Sequence, residues 1–236
     1  MKLLSIKLKK FLILFLLTVI TIAAFSQNSP AGTAGASQTP AALRSYHAGR
    51  DMENRGRVIE AELTYNETVR ICNDEISRNA ATGDTYTALT WTLQRQRKYQ
   101  DVITWGERGL RLYADDYRIV QVMGEAYFYL DDYEQSIRCM QRYANAAPQG
   151  ERVSVAYFFI GEIYRLSRQF HHADIAYSLA VRHEPGLALW WYRLGSVREA
   201  VRDFSKAIEA YERAVRINPN YREASDGLAR SRRQSG

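Results

Sequence analysis

Two prolines, Pro185 and Pro219, stand 34 residues apart, and the residues ahead of them match position by position. Tyr157, Ile160, Gly161, Tyr164, Ala173, Tyr177 and Ala180 precede the first. Trp191, Leu194, Gly195, Arg198, Ala207, Tyr211 and Ala214 precede the second at the same offsets. A fixed period of this length requires one supersecondary unit, repeated, that cannot cover its own apolar face and is stable only when stacked on neighbours. Apolar residues recur at three- and four-residue spacing from about Ala42 onward, which is the helix period. No stretch sustains the alternation of a strand, so the unit is helical.

Weaker copies lie upstream. One begins at Tyr117 and keeps Met123, Gly124, Tyr127, Ser136, Met140 and Pro148. It has three extra residues before the next copy. Another begins at Gly83, with Tyr86 and Leu89, but Thr90 in place of glycine and Val102 in place of alanine. The first begins near Ala42, with Ala48, Gly49, Ala61 and Tyr65, and seven extra residues follow it. An aromatic, Leu-Gly and Tyr in a first helix, then Ala, aromatic and Ala in a second, resembles the tetratricopeptide repeat. Arg198, where Tyr is usual, is the departure in the last copy. The resemblance implies an all-α, right-handed α-solenoid of about five helical hairpins, near residues 42–75, 83–116, 117–150, 154–187 and 188–221. A solvating cap helix over 222–236 follows.

Packing explains the pattern. Gly161 and Gly195 are expected to face Ala173 and Ala207 where the two helices of a hairpin cross. Tyr157, Tyr177, Trp191 and Tyr211 would fill the space between hairpins. Each proline ends a second helix, because it has no N–H to continue the hydrogen-bond ladder.

The N-terminus reads differently. Lys2, Lys7, Lys9 and Lys10 precede a largely apolar run from Phe11 to Phe25. That run falls short of the ~20 residues needed to span a bilayer core. Residues 1–26 therefore read as a secretory signal peptide, with an uncleaved anchor as the alternative. Residues 27–41 are small, polar and proline-bearing, and are expected to form a flexible linker. Membrane contact is expected only through the N-terminal segment. Export to a bacterial periplasm, or tethering to the inner membrane, follows.

The chain has 32 basic and 26 acidic residues. Setting the four leader lysines aside leaves it nearly neutral, which removes the basic surface that nucleic-acid binding needs. Cys72 and Cys139 fall two repeats apart, roughly 20 Å for stacked helices. That separation is beyond disulfide reach, so both are expected as unpaired thiols.

The adjacent His171 and His172 point about 100° apart on a helix and cannot chelate one ion together. Asp115–Asp116 and Asp131–Asp132 lie at expected turns and read as helix caps. Asn66-Glu67-Thr68 matches a glycosylation acceptor by spacing alone. These readings leave no catalytic residue, cofactor or metal site, and the chain reads as a non-enzyme.

What remains is a surface. In the repeat family the concave groove is lined mainly by first helices. By register those positions hold Tyr46, Arg50 and Glu53 in the first hairpin, and Trp91 and Arg95 in the second. Glu125 and Phe128 occupy them in the third, Phe158, Glu162 and Arg165 in the fourth, and Tyr192 in the last. Aromatics interleaved with charges match the composition of protein-binding hot spots, and burial of some of them between repeats is the competing reading. The expected function is a scaffold or adaptor in the cell envelope that binds a protein or peptide. The alternative is a periplasmic small-molecule carrier or transporter accessory. Self-association through aromatic repeat ends is a further expectation.

Overall fold

Helices end where the chain can no longer donate to its own ladder, and the prolines of the repeat mark three such ends. The computed structural model describes residues 39–235. The leader and nearly all of the linker lie outside the described residues. Eleven helices are formed among the described residues: α1 Ala41–Asn54, α2 Val58–Ser77, α3 Gly83–Arg95, α4 Tyr99–Leu112, α5 Tyr117–Tyr129, α6 Tyr133–Ala146, α7 Val153–Leu166, α8 Phe170–His183, α9 Ala188–Ala200, α10 Phe204–Ile217 and α11 Arg222–Ser235. No strand occurs among these residues. The chain divides into two compact units, Met1–Val122 and Met123–Gly236, the boundary falling inside α5. In the first unit α1 packs on α2, α2 on α3 and α3 on α4. In the second, α6 to α11 pack in the same consecutive way.

The turn inside each hairpin has one construction. Gly56, Arg97, Asp131, Arg168 and Arg202 each adopt a left-handed backbone conformation, with φ from +59° to +75°. The following N–H then reaches back to the carbonyl five residues earlier, as from Arg57 to Met52, Lys98 to Leu93, Asp132 to Tyr127, Gln169 to Tyr164 and Asp203 to Arg198. This closure satisfies carbonyls that the helix end would orphan. Only Gly56 is the residue type that adopts this conformation freely. The other four turns therefore carry no glycine signal in the sequence.

Second helices start with capping aspartates where the sequence supplies them. Asp132 accepts from the Gln135 N–H at 3.1 Å and Asp203 from the Lys206 N–H at 3.2 Å. Asp131, by contrast, is the left-handed residue and accepts from the Tyr133 hydroxyl. Ala147, Glu184 and Asn218, each just before a proline, sit at φ near −130° and positive ψ. Tyr113 ends α4 in the same conformation without a proline after it. The proline fits that stop but is not required for it. The seven residues inserted after the first copy go partly into α2, which has 20 residues where α4, α6, α8 and α10 have 14.

The role of the repeat glycine differs from the expectation. A Cβ on Gly161 would lie 2.6 Å from the Tyr177 ring, one on Gly195 2.7 Å from the Tyr211 ring, and one on Gly49 2.7 Å from the Tyr65 ring. The glycine makes room for the tyrosine of its partner helix, sixteen residues on, and not for the alanine. Tyr211 is also covered by α11, where a Cβ on Gly227 would come within 2.5 Å of it. Its ring is thus held between two helices with no space for a methyl on either side.

Arg198, the departure from the pattern, substitutes polar contacts for an aromatic ring. Its guanidinium reaches Asp174 at 2.7 Å and Ser178 at 3.3 Å, joining α9 to α8. Both cysteines are free, Cys72 buried and Cys139 half-buried. Burial pushes both thiols up, to about 12 and about 11, so neither is a thiolate at neutral pH.

Candidate binding surfaces

In the first unit, α1 and α3 bring an aromatic group together. Tyr46 and Trp91 have ring centroids 5.2 Å apart, Tyr46 and His47 5.3 Å, and His47 and Trp91 6.4 Å. Tyr46 is 6 % exposed and belongs to the core, while Trp91 is half-buried and His47 exposed. Behind them Glu53 accepts from the Tyr65 hydroxyl at 2.7 Å and pairs with Arg95 at 3.5 Å. Arg50 lies one turn before Glu53, and its buried Nε has no hydrogen-bond partner among the described residues. Burial, then the nearby Arg50 charge, lowers the His47 pKa, against a smaller pull from Asp51.

In the second unit, α7, α8 and α9 converge on Glu162. This carboxylate is fully buried. It accepts from Arg165 at 2.7 and 3.3 Å and from the Tyr177 hydroxyl, and Arg193 Nε lies 2.9 Å away. Burial alone would raise the Glu162 pKa. The two guanidiniums and the hydrogen bonds outweigh it and hold the carboxyl below its ordinary value. Arg193 also lies over the Tyr192 ring, 5.6 Å from its centroid, within cation–π range. Tyr192 in turn packs on Tyr221 at 5.1 Å.

One arrangement recurs. The Tyr65 hydroxyl donates to Glu53, which pairs with Arg95; Tyr177 donates to Glu162, which pairs with Arg193. Tyr211 donates to Glu199 at 2.6 Å, and Arg230 of α11 reaches the same carboxylate at 3.0 and 3.1 Å. Each time the tyrosine comes from a second helix, the acid from the first helix of its hairpin, and the arginine from the next hairpin or the cap. The tyrosine hydrogen bond lies within each hairpin, and the arginine links that hairpin to the next element, by hydrogen bonds from Arg230 and as an ion pair from Arg95 and Arg193.

The residues expected to line a groove therefore separate by burial. Trp91, Arg95, Arg165 and Tyr192 keep partly open side chains, and Arg50 is half-buried. Phe128 and Phe158 are fully buried and present no surface to a partner. Phe158 stacks on Trp190 at 5.0 Å and packs on Tyr177. Glu162 is buried by its arginines, and Glu125 is 8 % exposed and pairs with Arg152 at 2.7 Å. Arg193 and Tyr221 were not among the expected groove residues. Among the described residues no cluster of three His, Cys, Asp or Glu side chains is placed to hold a metal ion. His171 and His172 fall in the first turn of α8, both exposed.

Residues 188–221 match the family model described as tetratricopeptide repeat. Among solved structures, a MamA protein shares 18 % identity, with 65 % of this chain and 82 % of that chain covered and a TM-score of 0.58. MamA 41-end from Desulfovibrio magneticus RS-1 is similar at 18 % identity over 76 % of this chain and 96 % of that one, TM-score 0.57. YrrB, described as a TPR protein with an unusual peptide-binding site, is similar at 16 % identity over 78 % and 90 %, TM-score 0.53. At these identities the likeness concerns the fold: consecutive all-α hairpins of the tetratricopeptide kind. No curated protein sequence matches the chain.

Proposed function

We propose that this tetratricopeptide-repeat protein is a non-catalytic scaffold or adaptor that holds a protein or peptide partner in the cell envelope. The observation that carries the reading is the open aromatic and arginine surface of the first helices. Trp91 packs at a tilt on Tyr46 and edge-on to His47 in one unit, and in the other Tyr192 lies under Arg193, which shares Glu162 with Arg165. Trp, Tyr and Arg are the residue types that dominate measured binding energy in protein interfaces. Peptide binding is described for the similar YrrB, and the step from a shared fold to a shared role is analogy. The basic, then apolar leader pattern favours export, and fractionation of cells expressing the chain tests that part.

Trp91→Ala tests the binding surface. Trp91 is only half-buried, so the variant is expected to keep its helicity and most of its stability. Loss of a central hot-spot tryptophan costs ~2 kcal/mol or more, about thirtyfold in affinity. Co-purification followed by mass spectrometry is expected to lose partners that the unmodified chain retains. An unchanged partner set at unchanged abundance would remove this surface from the reading.

A further inference from the structure

Second helices share one register, so the chain supplies its own comparison for each surface position. Ile59 of α2 corresponds to Gln100, Glu134, His171 and Ser205, all exposed and polar. Leu63, one turn on, corresponds to Thr104, Arg138, Ile175 and Glu209. In α2 both positions are large and apolar, Ile59 79 % and Leu63 65 % exposed. Val58 before them is 67 % exposed, where the other second helices begin with a half-buried Tyr99, Tyr133, Phe170 or Phe204. Residues four apart share one helix face, so Ile59 and Leu63 form an apolar ridge at the turn end of the first hairpin. The exposed charges around it cancel. Arg57 pairs with Glu60, and Glu67 with Arg70. Gln96, at the end of α3, donates to Glu62 at 2.7 Å and to Asn66 at 2.8 Å, and accepts from Lys98 at 3.0 Å. Those bonds tie Lys98 to Glu62 and hold the second turn beside the start of α2. Arg55, Arg97, Asp51 and Asp101 complete the exposed charges there, two of each sign.

Size decides among the possible occupants. A stable protein–protein interface covers ~800 Å² on each partner, more than three side chains present. A weak apolar contact suffices where two surfaces are already tethered, because a short linker gives an effective concentration in the mM range. The first hairpin is the one joined to the apolar run from Phe11 to Phe25. Residues 27–40, between that segment and α1, extend to at most ~46 Å. The 14 residues of α1 place the turn end ~21 Å from where the chain enters, so the ridge can reach a surface that holds the apolar run. We propose that Val58, Ile59 and Leu63 seat the first hairpin on the lipid bilayer, as a second membrane contact beside the N-terminal segment. The proposal concerns the chain that retains residues 1–26. The three side chains enter the boundary between headgroups and acyl chains, while Arg55 and Arg97 stay at headgroup level. With the charges balanced, burial of apolar surface drives the contact, and added salt changes it little.

The test reconstitutes the full chain into vesicles of phosphatidylethanolamine and phosphatidylglycerol and reads an environment-sensitive fluorophore on Arg55→Cys, beside the ridge. Burial pushes the Cys72 and Cys139 thiols up, to about 12 and about 11, so the exposed introduced thiol reacts first at neutral pH. The label is expected to shift to the blue and to lose emission when the vesicles carry nitroxide lipids. A label on Ser205→Cys, at the polar counterpart of Ile59, should keep its emission. Adding Leu63→Glu to Arg55→Cys should restore the emission there, and this exposed substitution should leave the circular dichroism unchanged. An unquenched label at position 55 would overturn the proposal, as would quenching that Leu63→Glu does not relieve. Equal quenching at 55 and 205 would also overturn it, since nearness to the anchor and not the ridge would then be the cause. A label at position 55 already shielded in detergent, without vesicles, would give the ridge to another occupant and overturn the proposal too. That occupant is a second copy if light scattering shows a dimer that Leu63→Glu dissociates, and the chain's own apolar run if deleting residues 11–25 exposes the label.

Discussion

Phe158→Ala is expected to lower stability by about 3–5 kcal/mol, the range for removing a large aromatic side chain from a core. Sequence register placed Phe158 on a binding face, yet its ring is fully buried, stacked on Trp190 at 5.0 Å and packed against Tyr177 and Phe159. Removing it leaves three rings from α7, α8 and α9 without their common neighbour. A cavity of that shape cannot collapse easily, because Tyr177 is already pressed against Gly161. Chemical denaturation monitored by circular dichroism reads the loss. A change below about 0.5 kcal/mol, the range of surface substitutions, would show that the ring does not sit in the core.

The second large effect is at Glu162. Glu162→Gln removes the single negative charge between Arg165 and Arg193 and leaves two guanidiniums facing each other with little water. Breaking a buried pair in this way costs about 3–5 kcal/mol, far more than an exposed pair contributes. The same residue sets a pH dependence. Its folded pKa is depressed relative to the unfolded value, so its stabilisation is complete above the unfolded glutamate pKa of about 4.3. It is lost as pH falls from there through the folded pKa. Urea midpoints measured from pH 7 downward are expected to fall more steeply for the unmodified chain than for Glu162→Gln. Parallel pH profiles would show that the carboxylate is not ionised and paired in the native state.

The fold was legible because its period is tied to packing. Gly161 and Gly195 recur with Tyr177 and Tyr211 since each ring needs the space of a missing side chain. A spacing imposed by contact survives where residue identities drift. The left-handed turns at Arg97, Asp131, Arg168 and Arg202 were not legible, because none uses the glycine that would announce it. The binding face was legible only in part. Periodicity assigns residues to one face of a helix but does not say how far the next hairpin overlaps it. Phe128, Phe158 and Glu162 lie on the covered part, whereas Trp91 and Tyr192 lie on the open part. Arg193 could have been found by another question: what neutralises a lone glutamate inside the apolar run of α7? Arg165, one turn on, answers half of it. The rest comes from α9, a contact between hairpins that spacing alone does not encode.

Site-resolved photo-crosslinking in cells expressing the full chain tests the scaffold reading most directly. A photoreactive amino acid is placed in turn at Trp91 and Tyr192, and at Glu209 and Arg213 on the exposed face of α10. Discrete protein adducts are expected from positions 91 and 192 and not from 209 and 213. Adducts from the α10 positions, with none from the aromatic positions, would contradict the account.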